Sequence, residues 1–410
     1  MDILFITQYF PPETGAAPER SMGFAKYLNR LGHRVQVVTS LPNHPASKVH
    51  PEYQGKRLIW EEIEGVSVLR TYVYANPKKR LHHRLLNFIS FALSCLNALR
   101  FKKKFDVMVI SIPPIFMTVS AFFMARLKRI PLILDIRDLW PQVAVALDEV
   151  GDNLPIRLIE MVMNLFYQKA DQITVVTQGI RDALLKVGVD ADKIHLITNG
   201  VDHEMFYPGS FEVARDVYKP IGCESKFIVL YTGVIGIIHG GWVIAETARI
   251  LKDHNDIAFV VIGDGVKKTE LHEMKSKDGL ENLHILEHMQ PSYLLPYIQG
   301  ADLGLSTLQN KPFCEGTIPV KIFSYMACGL PVIFAGRGEG RRIIQEWGAG
   351  SCIEPENARA LADAILDLKN DPQRRHFMGE KGVLAVSRRF SRQVLSEGFA
   401  GVVSKAVENQ

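Results

Sequence analysis

Short runs of β-branched and apolar residues alternate with helical stretches along this chain, and the alternation restricts the folds open to it. Seven runs typical of strands come first, namely ILFIT, RVQVVT, VSVLRTYVY, DVMVIS, PLILDI, QITVVT and KIHLIT. After Asn199 follow five more, namely FIVLYTG, IAFVVIG, LHILEH, LGLSTL and PVIFAG. Helical stretches lie between them, as in Ser21–Leu31, Ile180–Val187 and Trp242–His254. Such alternation predicts parallel sheets covered by helices on both faces.

Two series of strands predict two domains, since a chain of 410 residues is too long for one ordinary core. The Asn-Gly and Tyr-Pro pairs of TNGVDHEMFYP mark a turn and a linker between the series. We therefore predict two doubly wound α/β domains over residues 1–205 and 206–390, each binding ligands at the carboxyl ends of its strands. A long helix over about residues 391–410 has no strand after it and is expected to pack back on the first domain.

Composition and cysteine usage indicate a cytoplasmic globular protein. The hydrophobic fraction is 47% and the charged fraction 22%. The five cysteines form no CxxC pair, which favours free thiols in a reducing compartment and indicates no metal site. The longest uncharged stretch, Val107–Ala125, is broken by Pro113-Pro114, so a strand, a turn and a buried helix are expected there instead of a membrane span.

Basic charge is concentrated in one segment of the first half. Residues 1–200 carry 25 lysines and arginines against 18 acids, and residues 65–105 contain no acid. The segment KKRLHHRLLNFISFALSCLNALRFKKK, residues 78–104, places about fifteen mostly apolar residues between basic clusters. It is long enough to lie on a membrane surface as a helix and too short to span a bilayer comfortably. The alternative is a helix packed against the first sheet with a solvated basic rim.

Loops containing glycine follow three of the predicted strands. Gly15 in TQYFPPETGAAPER would let a substrate approach backbone amides closely. Four glycines in YTGVIGIIHGGW, among them Gly233 and Gly236, suggest a phosphate loop, although neither standard nucleotide-binding glycine pattern fits. Gly263 and Asp264 form a glycine turn that is compatible with the edge of a nucleotide base. An ordinary tight turn is the alternative for these loops.

Three charged residues, Asp135, Arg137 and Asp138, crowd the end of the apolar run PLILDI. Charges at the end of a buried strand are costly unless they are paired. A mutual salt bridge and a catalytic cluster are the two interpretations, and the sequence leaves both open.

The stretch EGTIPVKIFSYMACGLPV, residues 315–332, predicts a helix of about three turns that begins at Pro319 and ends at Gly329. Its first turn carries Lys321, a cation where the helix dipole is unfavourable. An anion bound between the amine and the helix N-terminus would account for this lysine. A solvated lysine in a surface turn is the alternative.

Together these stretches resemble the retaining glycosyltransferases of family 4, which have the GT-B fold of two Rossmann-like domains facing across a cleft. The resemblance rests on YFPPETGAAPER with GHRVQVVT, on TVVTQGIRDALLKVGVDADKIHLITNGVDHEMFYP, on LENLHILEHMQPSYLLPYIQGADLGL after GDG, and on MACGLPVI. DIRDLWPQ and GTIPVKIF with YMACG resemble more narrowly the branch that builds bacterial O-antigen, capsule and colanic acid, including N-acetylfucosaminyl transferases. The similarity spans nearly the whole chain.

The resemblance implies a retaining, metal-independent hexosyltransferase without a cofactor, whose substrate is a nucleotide-sugar, by analogy with the family a UDP-sugar. The donor would bind the second domain, and a polyprenyl-diphosphate-linked saccharide acceptor would bind the first, at the cytoplasmic face of the inner membrane and with no nucleic-acid partner. The catalytic residues would be Asp138, Arg137 and Gly15. The donor-binding residues would be Lys321, which would hold the diphosphate, Gly233, Gly236, His239, Glu315, Gly316, Thr317, Ser324, Gly263, Asp264 and Asn199.

Two features depart from the family pattern. Many members carry a basic residue after Gly236, where this chain has Ile237, with a histidine two residues later. Many also carry two glutamates eight positions apart, where this chain has Gly316 and Ser324, with Glu315 one residue out of register. By this resemblance, Ser324 would leave the donor ribose without its usual carboxylate. A transferase with a soluble acceptor, and a non-catalytic partner that binds nucleotide-sugar or membrane, are the alternative functions.

Overall fold

The two series of strands form two separate sheets. The computed structural model describes residues 1–78, 80–140, 142, 151 and 153–409. The chain divides into unit 1, which contains Met1–Asn199 and Arg392–Gln410, and unit 2, which contains Gly200–Ser391. The sequence placed these divisions after residues 205 and 390. Lys79 of the basic segment, Pro141 of the DIRDLWPQ motif and Gln410 lie outside the described residues.

Unit 1 begins with eight strands and five helices. Its strands are β1 (Asp2–Ile6), β2 (Arg34–Ser40), β3 (Leu58–Ile63), β4 (Val66–Thr71), β5 (Val107–Ile112), β6 (Leu132–Ile136), β7 (Gln172–Val175) and β8 (Ile194–Leu196). Its helices up to this point are α1 (Ala16–Arg30), α2 (Leu81–Ser94), α3 (Phe116–Lys128), α4 (Leu154–Lys169) and α5 (Gln178–Lys186). These counts cover the described residues only.

The sheet of unit 1 has the order β3-β4-β2-β1-β5-β6-β7-β8. β3 runs antiparallel to β4, and every other pair of described strands in this sheet is parallel. Because the order reverses between β1 and β5, the carboxyl ends of these two strands form the switch point where doubly wound sheets bind ligands.

Unit 2 contains six described strands and eight described helices. Its strands are β9 (Phe227–Thr232), β10 (Ile257–Ile262), β11 (Leu283–Leu286), β12 (Leu303–Thr307), β13 (Val332–Ala335) and β14 (Gly350–Ile353). Its helices are α6 (Phe211–Arg215), α7 (Trp242–Ile250), α8 (Lys268–Asp278), α9 (Pro291–Gln299), α10 (Lys321–Ala327), α11 (Glu339–Trp347), α12 (Ala358–Lys369) and α13 (Pro372–Ala385). All described pairs in its sheet, ordered β11-β10-β9-β12-β13-β14, are parallel, and the order reverses between β9 and β12.

Both faces of each sheet are buried, as near-continuous apolar strands require. In unit 1, Ile3 and Phe5 of β1 belong to the core on one face, and Leu4 and Ile6 belong to the core on the other. In unit 2 the same alternation separates Ile228 and Leu230 from Val229 and Tyr231. Helices therefore cover both faces of each sheet.

The chain returns to unit 1 through α14 (Arg392–Glu408). This helix packs against α1, where the rings of Phe24 and Phe399 stack with their centroids 4.3 Å apart. The guanidinium of Arg392 lies 3.2 Å from the carboxylate of Glu19. The C-terminal helix thus completes one face of the unit that holds the N-terminus.

All twelve predicted strand runs contain a strand, so these predictions are confirmed. β3 and β14 were not predicted. The helix expected to begin at Pro319 begins at Lys321 and has seven residues, about two turns instead of three, because residues up to Val320 form a turn before it. The apolar segment between the basic clusters is not one helix either, since α2 ends at Ser94 and a 3-10 helix follows over Cys95–Arg100.

Candidate functional site

Lys321 lies at the switch point of the unit 2 sheet. It is the first residue of α10, and its side chain runs past the loop that follows β9, where a methyl group added to Gly233 would lie 3.5 Å from Lys321 Cε. The amine is 3.3 Å from the centre of the Tyr231 ring. Within the part of the chain that the structure describes, this buried amine has no hydrogen-bond partner. Burial holds the pKa of Lys321 well below its ordinary value.

Other polar groups without partners lie on the loop after β9, near the carboxyl end of β12 and just after it. His239 Nδ1 in the loop after β9, Ser306 Oγ in β12 and Gln309 Oε1 just after β12 are buried and make no hydrogen bond to a described residue. Burial, followed by the positive charge of Lys321 when it is protonated, lowers the pKa of His239 to about 3. A buried polar group without a partner costs about 1–3 kcal/mol. Several such groups near the carboxyl ends of two neighbouring strands indicate a site for a polar ligand.

The glycines of the two adjoining loops allow the backbones to approach each other. A methyl group on Gly263 would lie 1.8 Å from the Gly233 oxygen, which two backbones at this distance cannot accommodate. The loops are joined by hydrogen bonds from Gly233 N to Ile262 O (2.9 Å) and from Ile235 N to Asp264 O (2.8 Å). Gly263 therefore has a packing role, while its contact with a nucleotide base stays a prediction.

The remaining residues predicted to bind the donor lie around α10 or on the loops beside it. Ser324 is half-buried and stands one turn after Lys321, on the same side of the helix. Gly236 precedes the turn that carries His239, and a methyl group on it would lie 3.1 Å from His239 Nδ1.

The segment before α10 holds the other three. Glu315 is exposed, and Gly316 and Thr317 are half-buried, in or just after a 3-10 helix over Pro312–Gly316. The Glu315 carbonyl packs against Gly338, since a methyl group on Gly338 would lie 1.9 Å from that oxygen. This packing fixes the backbone of the segment.

Two predicted donor-binding residues stand apart from this arrangement. Asp264 is exposed, and its Oδ1 accepts a hydrogen bond from the Gly265 amide at 2.8 Å. Asn199 belongs to unit 1, whereas the other predicted donor-binding residues belong to unit 2. Its Oδ1 is buried without a hydrogen bond to a described residue.

In unit 1, Asp135 is paired with a residue that the sequence did not suggest. Its fully buried carboxylate accepts hydrogen bonds from Arg20 Nη2 (2.7 Å), Thr174 Oγ1 (2.8 Å) and Ser111 Oγ (3.2 Å). Arg20 also donates to the carbonyl of Thr198 at 2.7 Å. Burial raises the pKa of Asp135, but the Arg20 charge and these hydrogen bonds outweigh it and hold the pKa below its usual value. Asp135 is therefore paired as a buried charge requires, but its salt bridge is with Arg20 and not with the neighbouring Arg137 that a mutual salt bridge would use.

Arg137 and Asp138 follow on the same loop. Arg137 donates from Nε to Ser111 Oγ (3.0 Å) and from Nη2 to the Pro113 carbonyl (2.7 Å), so it is fixed at the end of β5. Asp138 is an exposed residue. An available carboxylate beside a fixed guanidinium is suited to proton transfer or to orienting a hydroxyl.

The loop after β1 is held by a buried glutamate. Glu13 accepts hydrogen bonds from the amides of Asn43 and His44, both at 2.8 Å, and from the amide of Phe10 at 3.2 Å. Burial raises the pKa of Glu13 to about 7 against the effect of these hydrogen bonds. Gly15 follows as the exposed N-cap of α1 with a φ of +121°, a conformation that favours glycine. Glu13 thus fixes the predicted glycine loop to the loop after β2.

Helix α2 is buried on one side and exposed on the other, and its predicted position on a membrane surface stays a prediction. Phe91, Ala92 and Cys95 are buried against the sheet and α3. On the outer side Leu86 and Leu93 are 48% and 63% exposed. No helix among the described residues has both the length and the apolar character to cross a bilayer. The described residues also contain no group of three or more His, Cys, Asp or Glu side chains able to hold a metal ion.

Sequence reasoning missed Arg20, Glu13 and Tyr231. A signal for Arg20 was present: it stands four and eight residues before Phe24 and Leu28, so it lies on the buried face of α1 and needs a buried partner. Glu13 and Tyr231 carry no comparable local signal, because their partners come from other loops.

Comparison with known proteins gives two family matches. Residues 15–200 match the family described as Glycosyl transferase 4-like domain. Residues 222–384 match the family described as Glycosyl transferases group 1. Together the two matches extend over most of both units.

Individual relatives and solved structures agree with these matches. The chain is 22% identical over 384 residues, 89% of this chain and 91% of the other, to the Escherichia coli (strain K12) protein assigned to colanic acid biosynthesis as glycosyl transferase WcaI. It is 22% identical over 68% of its length to 72% of the alpha-D-kanosaminyltransferase of Streptomyces kanamyceticus. Anabaena Alr3699/HepE, solved with UDP, is similar in structure with a TM-score of 0.73 at 16% identity, over 98% of this chain and 100% of that one.

WaaG, a glycosyltransferase of lipopolysaccharide biosynthesis, is similar with a TM-score of 0.70 at 15% identity, over 98% of this chain and 99% of that one. At such identities the structural likeness shows the fold, and the family matches show the kind of enzyme. The chain therefore belongs to the family 4 glycosyltransferases, enzymes of GT-B fold.

Proposed function

We propose that this glycosyltransferase moves a sugar, with retention of anomeric configuration, from a UDP-sugar to a lipid-linked saccharide acceptor in the biosynthesis of a bacterial surface polysaccharide. The observation that carries the proposal is the Lys321 amine, which is buried at the switch point of the unit 2 sheet without a partner among the described residues. A buried cationic group without an acid is costly in the empty protein and favourable once an anion binds.

The anion that this site suits is the diphosphate of the donor. The leaving group of sugar transfer from a nucleotide-sugar is a nucleoside diphosphate, which gains negative charge as the bond to the sugar breaks. A protonated Lys321 would stabilise that charge by about 1.5–3 kcal/mol per charge-assisted hydrogen bond in a site of low dielectric. The unpaired His239, Ser306 and Gln309 groups would complete the polar contacts.

The half-buried Ser324 stands one turn beyond Lys321 and would meet the next part of the donor, the ribose. A serine hydroxyl satisfies fewer hydrogen bonds of a ribose than a carboxylate does. The chain would therefore bind its nucleotide weakly for the family, unless Glu315 supplies a compensating contact.

Unit 1 would bind the acceptor at its own switch point. Asp138 would orient or deprotonate the attacking hydroxyl, while Arg137, held by Ser111 and Pro113, keeps a positive charge beside it. Gly15 leaves the loop after β1 open to the acceptor, since nothing lies within 4 Å of the position where its side chain would be.

The relatives support the pathway in the proposal. WcaI is assigned to colanic acid biosynthesis and WaaG to lipopolysaccharide biosynthesis, and HepE binds UDP in its solved structure. The outer face of α2, apolar between basic clusters, suits a peripheral position on the cytoplasmic side of a membrane, where lipid-linked acceptors lie.

A soluble acceptor is the second candidate, because relatives also include the D-inositol 3-phosphate glycosyltransferase of Corynebacterium glutamicum (strain R), 23% identical over 59% of each chain. Membership of an enzyme family argues against the non-catalytic partner considered from the sequence.

A donor and acceptor panel tests the proposal. Calorimetry should show UDP binding at one site per chain, and transfer assays with UDP- and GDP-sugars should show turnover with a UDP-sugar and a lipid-linked acceptor, in the presence of EDTA. NMR of the product should show the anomeric configuration of the donor. Turnover with GDP-sugars alone, inversion, or transfer to soluble acceptors only would each contradict the corresponding part.

A further inference from the structure

Strand β3 forms the longest sheet edge among the described strands. It ends the sheet of unit 1 and pairs there only with β4. It has six residues, whereas the strands at the other three described edges, β8, β11 and β14, have three, four and four. A short edge strand offers little backbone to a partner, and a longer one offers a row of free amides and carbonyls. β3 therefore has backbone groups available for pairing with another strand.

The turn between β3 and β4 sets the hydrogen-bonding phase of β3. Glu64 and Gly65 form a two-residue turn with φ of +47° and +77°. Such a turn is flanked by a hydrogen-bonded pair of residues, here Ile63 and Val66. Because hydrogen-bonded and non-hydrogen-bonded pairs alternate along antiparallel strands, every second residue counted back from Ile63 bonds to β4. The even-numbered residues of β3 thus direct their N–H and C=O groups away from β4.

Two contacts of β4 agree with this phase. The Ser67 carbonyl, opposite Glu62, accepts a hydrogen bond from Gln36 Nε2 of β2 at 3.0 Å. The Thr71 carbonyl, opposite Leu58, accepts one from the first backbone amide after β2 at 2.9 Å. Both carbonyls therefore point away from β3, as they must in residues of non-hydrogen-bonded pairs.

The residues whose backbone points outward also have exposed side chains. Leu58 and Trp60 are 45% and 55% exposed, and Glu62 is exposed as well. We call these three residues the β3 edge. Edge strands that stay single are commonly protected by proline or by a charged side chain aimed inward. Residues 58–63 contain no proline, and the half-buried Glu61 is paired with Arg70, so neither device protects the β3 edge.

The charges along β3 are of opposite sign at its two ends. Lys56 and Arg57 precede the strand, and Glu62 and Glu64 stand at its other end, all four of them exposed. A second β3 laid antiparallel brings the basic end of each strand beside the acidic end of the other. A parallel arrangement would bring like charges together. Charge complementarity therefore favours a second copy of this chain, related by a two-fold axis, as the occupant of this edge.

The hydrogen-bonding phase also restricts the register of two such strands. Only residues whose backbone groups point outward can form hydrogen-bonded pairs with each other. Pairing Trp60 with Trp60 of the second copy is the one two-fold register that also pairs Leu58 with Glu62, and so uses the whole β3 edge of both copies. It sets the two indole rings opposite each other, an arrangement that stabilises cross-strand pairs. Lys56 then lies diagonally across from Glu62 of the second copy.

From these observations we propose that two copies of this chain associate through the β3 edge, so that antiparallel β3 strands join two eight-stranded sheets into one continuous sheet. The inference goes beyond the proposed function and is independent of it, since neither the Lys321 loops nor the loop of Asp138 takes part. An interface built on one strand from each copy is small, and the dimer should therefore be reversible and of micromolar affinity.

Analytical ultracentrifugation of the full chain over about 1–200 μM tests the inference. Wild type should show a monomer–dimer equilibrium that shifts toward monomer as NaCl is raised, because salt screens the end charges. Trp60→Lys places like charges opposite each other on the two-fold axis and should weaken dimerisation by at least about 10-fold. Leu158→Lys is the matched control, since it changes a side chain of α4 that is 57% exposed, and it should dimerise as wild type does.

Exchanging the end charges tests the antiparallel register. Lys56→Glu and Glu62→Lys should each weaken dimerisation, because each brings like charges together across the two strands. The double variant should restore it. An equimolar mixture of the two single variants should form mixed dimers in preference to either dimer of identical chains. These exposed substitutions also carry the test if circular dichroism shows that Trp60→Lys has not folded.

A wild-type chain that stays monomeric up to about 200 μM overturns the inference. A dimer that is lost in Leu158→Lys and kept in Trp60→Lys also overturns it and would place the interface on the outer helices of unit 1. A double charge variant that dimerises no better than the single variants would overturn the antiparallel pairing. Failure of the proposed function is distinguishable, because it would show as absence of UDP binding by chains whose association is unchanged.

Discussion

Replacing Lys321 with methionine should make unit 2 more stable and its nucleotide binding weaker. Methionine keeps most of the side-chain volume and removes a buried amine that has no partner among the described residues. The unsatisfied donor costs about 1–3 kcal/mol. Its contact with the Tyr231 ring, 3.3 Å away, returns about 0.5–2 kcal/mol when the amine is charged. A net gain of about 1 kcal/mol should raise the Tm of a unit of this size by roughly 2–4 °C.

The same substitution removes the charge proposed to hold the diphosphate. Loss of a charge-assisted contact of about 1.5–3 kcal/mol should weaken UDP binding by roughly 10- to 150-fold. Lys277→Met, which removes an exposed lysine of α8, is the control and should change neither quantity.

Because the pKa of Lys321 is lowered, the stability difference between wild type and Lys321→Met should depend on pH. Between that pKa and the ordinary value of 10.5, the unfolded chain holds a proton that the folded chain has lost. The stability of wild type should therefore rise with pH across this window, by up to about 1.4 kcal/mol per pH unit, and the Lys321→Met variant should lack this rise. Binding of UDP should return the proton to the amine.

Two measurements decide the matter. Calorimetric titration of UDP in buffers of different ionisation enthalpy should show uptake of up to one proton in wild type and none in Lys321→Met. Scanning calorimetry of the full chain should resolve the unit 2 transition. A methionine variant that melts at a lower temperature and binds UDP as tightly as wild type would show that the amine is structural and would refute the reasoning.

The other predictions concern both units. Asp138→Asn should slow transfer by roughly 10²- to 10⁴-fold at near-normal UDP affinity, and a variant that fails to fold would make this residue structural. Ser324→Glu should tighten UDP binding in calorimetry by about 1–2 kcal/mol, roughly 5- to 30-fold, whereas weaker binding would mean that the pocket has closed around serine. Leu93→Gln should weaken binding to phosphatidylglycerol liposomes in a flotation assay by roughly 5- to 30-fold, because about 1–2 kcal/mol of apolar burial is lost. Val213→Gln, at a site in unit 2 that is 75% exposed, is the control and should not weaken it. Equal flotation of the two variants would contradict the membrane role. The pKa of Glu13 is raised from 4.5 to about 7, so its contribution to stability is full below pH 4.5 and is lost as the pH rises through about 7. The free energy of unfolding should therefore fall by at most about 3 kcal/mol over this window. Denaturation curves of Glu13→Gln should lack this fall.

The strands could be predicted because their signal is local. Each predicted run is a continuous apolar segment, and a strand buried on both faces requires one. β3 was not predicted, because LIWEEI alternates exposed and half-buried residues at the sheet edge and carries two glutamates. β14 was not predicted, because GSCI contains a single β-branched residue and depends on pairing with β13.

In the candidate site too, the features that depend on nearby residues could be predicted, and the contacts between distant residues could not. Lys321 could be singled out from the sequence, because a lysine two residues after a proline, within an apolar stretch, conflicts with its surroundings. Its missing partner could not be predicted, since it depends on how the loops after β9 and β12 come together. The partner of Asp135 is likewise Arg20, which is 115 residues earlier in the chain. The sequence offered only the nearby Arg137 as a partner, because it shows which residues are neighbours along the chain and not which ones meet in the fold.

The return of α14 to unit 1 has a consequence for synthesis on the ribosome. The surface of α1 that carries Phe24 is covered only after the 192 residues of Gly200–Ser391 have been translated, about 10–40 s later at typical rates of elongation. Unit 2, in contrast, is continuous, and its ends are joined by the hydrogen bond from Val201 N to Phe390 O at 3.0 Å. The later unit is thus the first that can fold to completion, and during the delay the earlier one exposes an apolar helix face to chaperones.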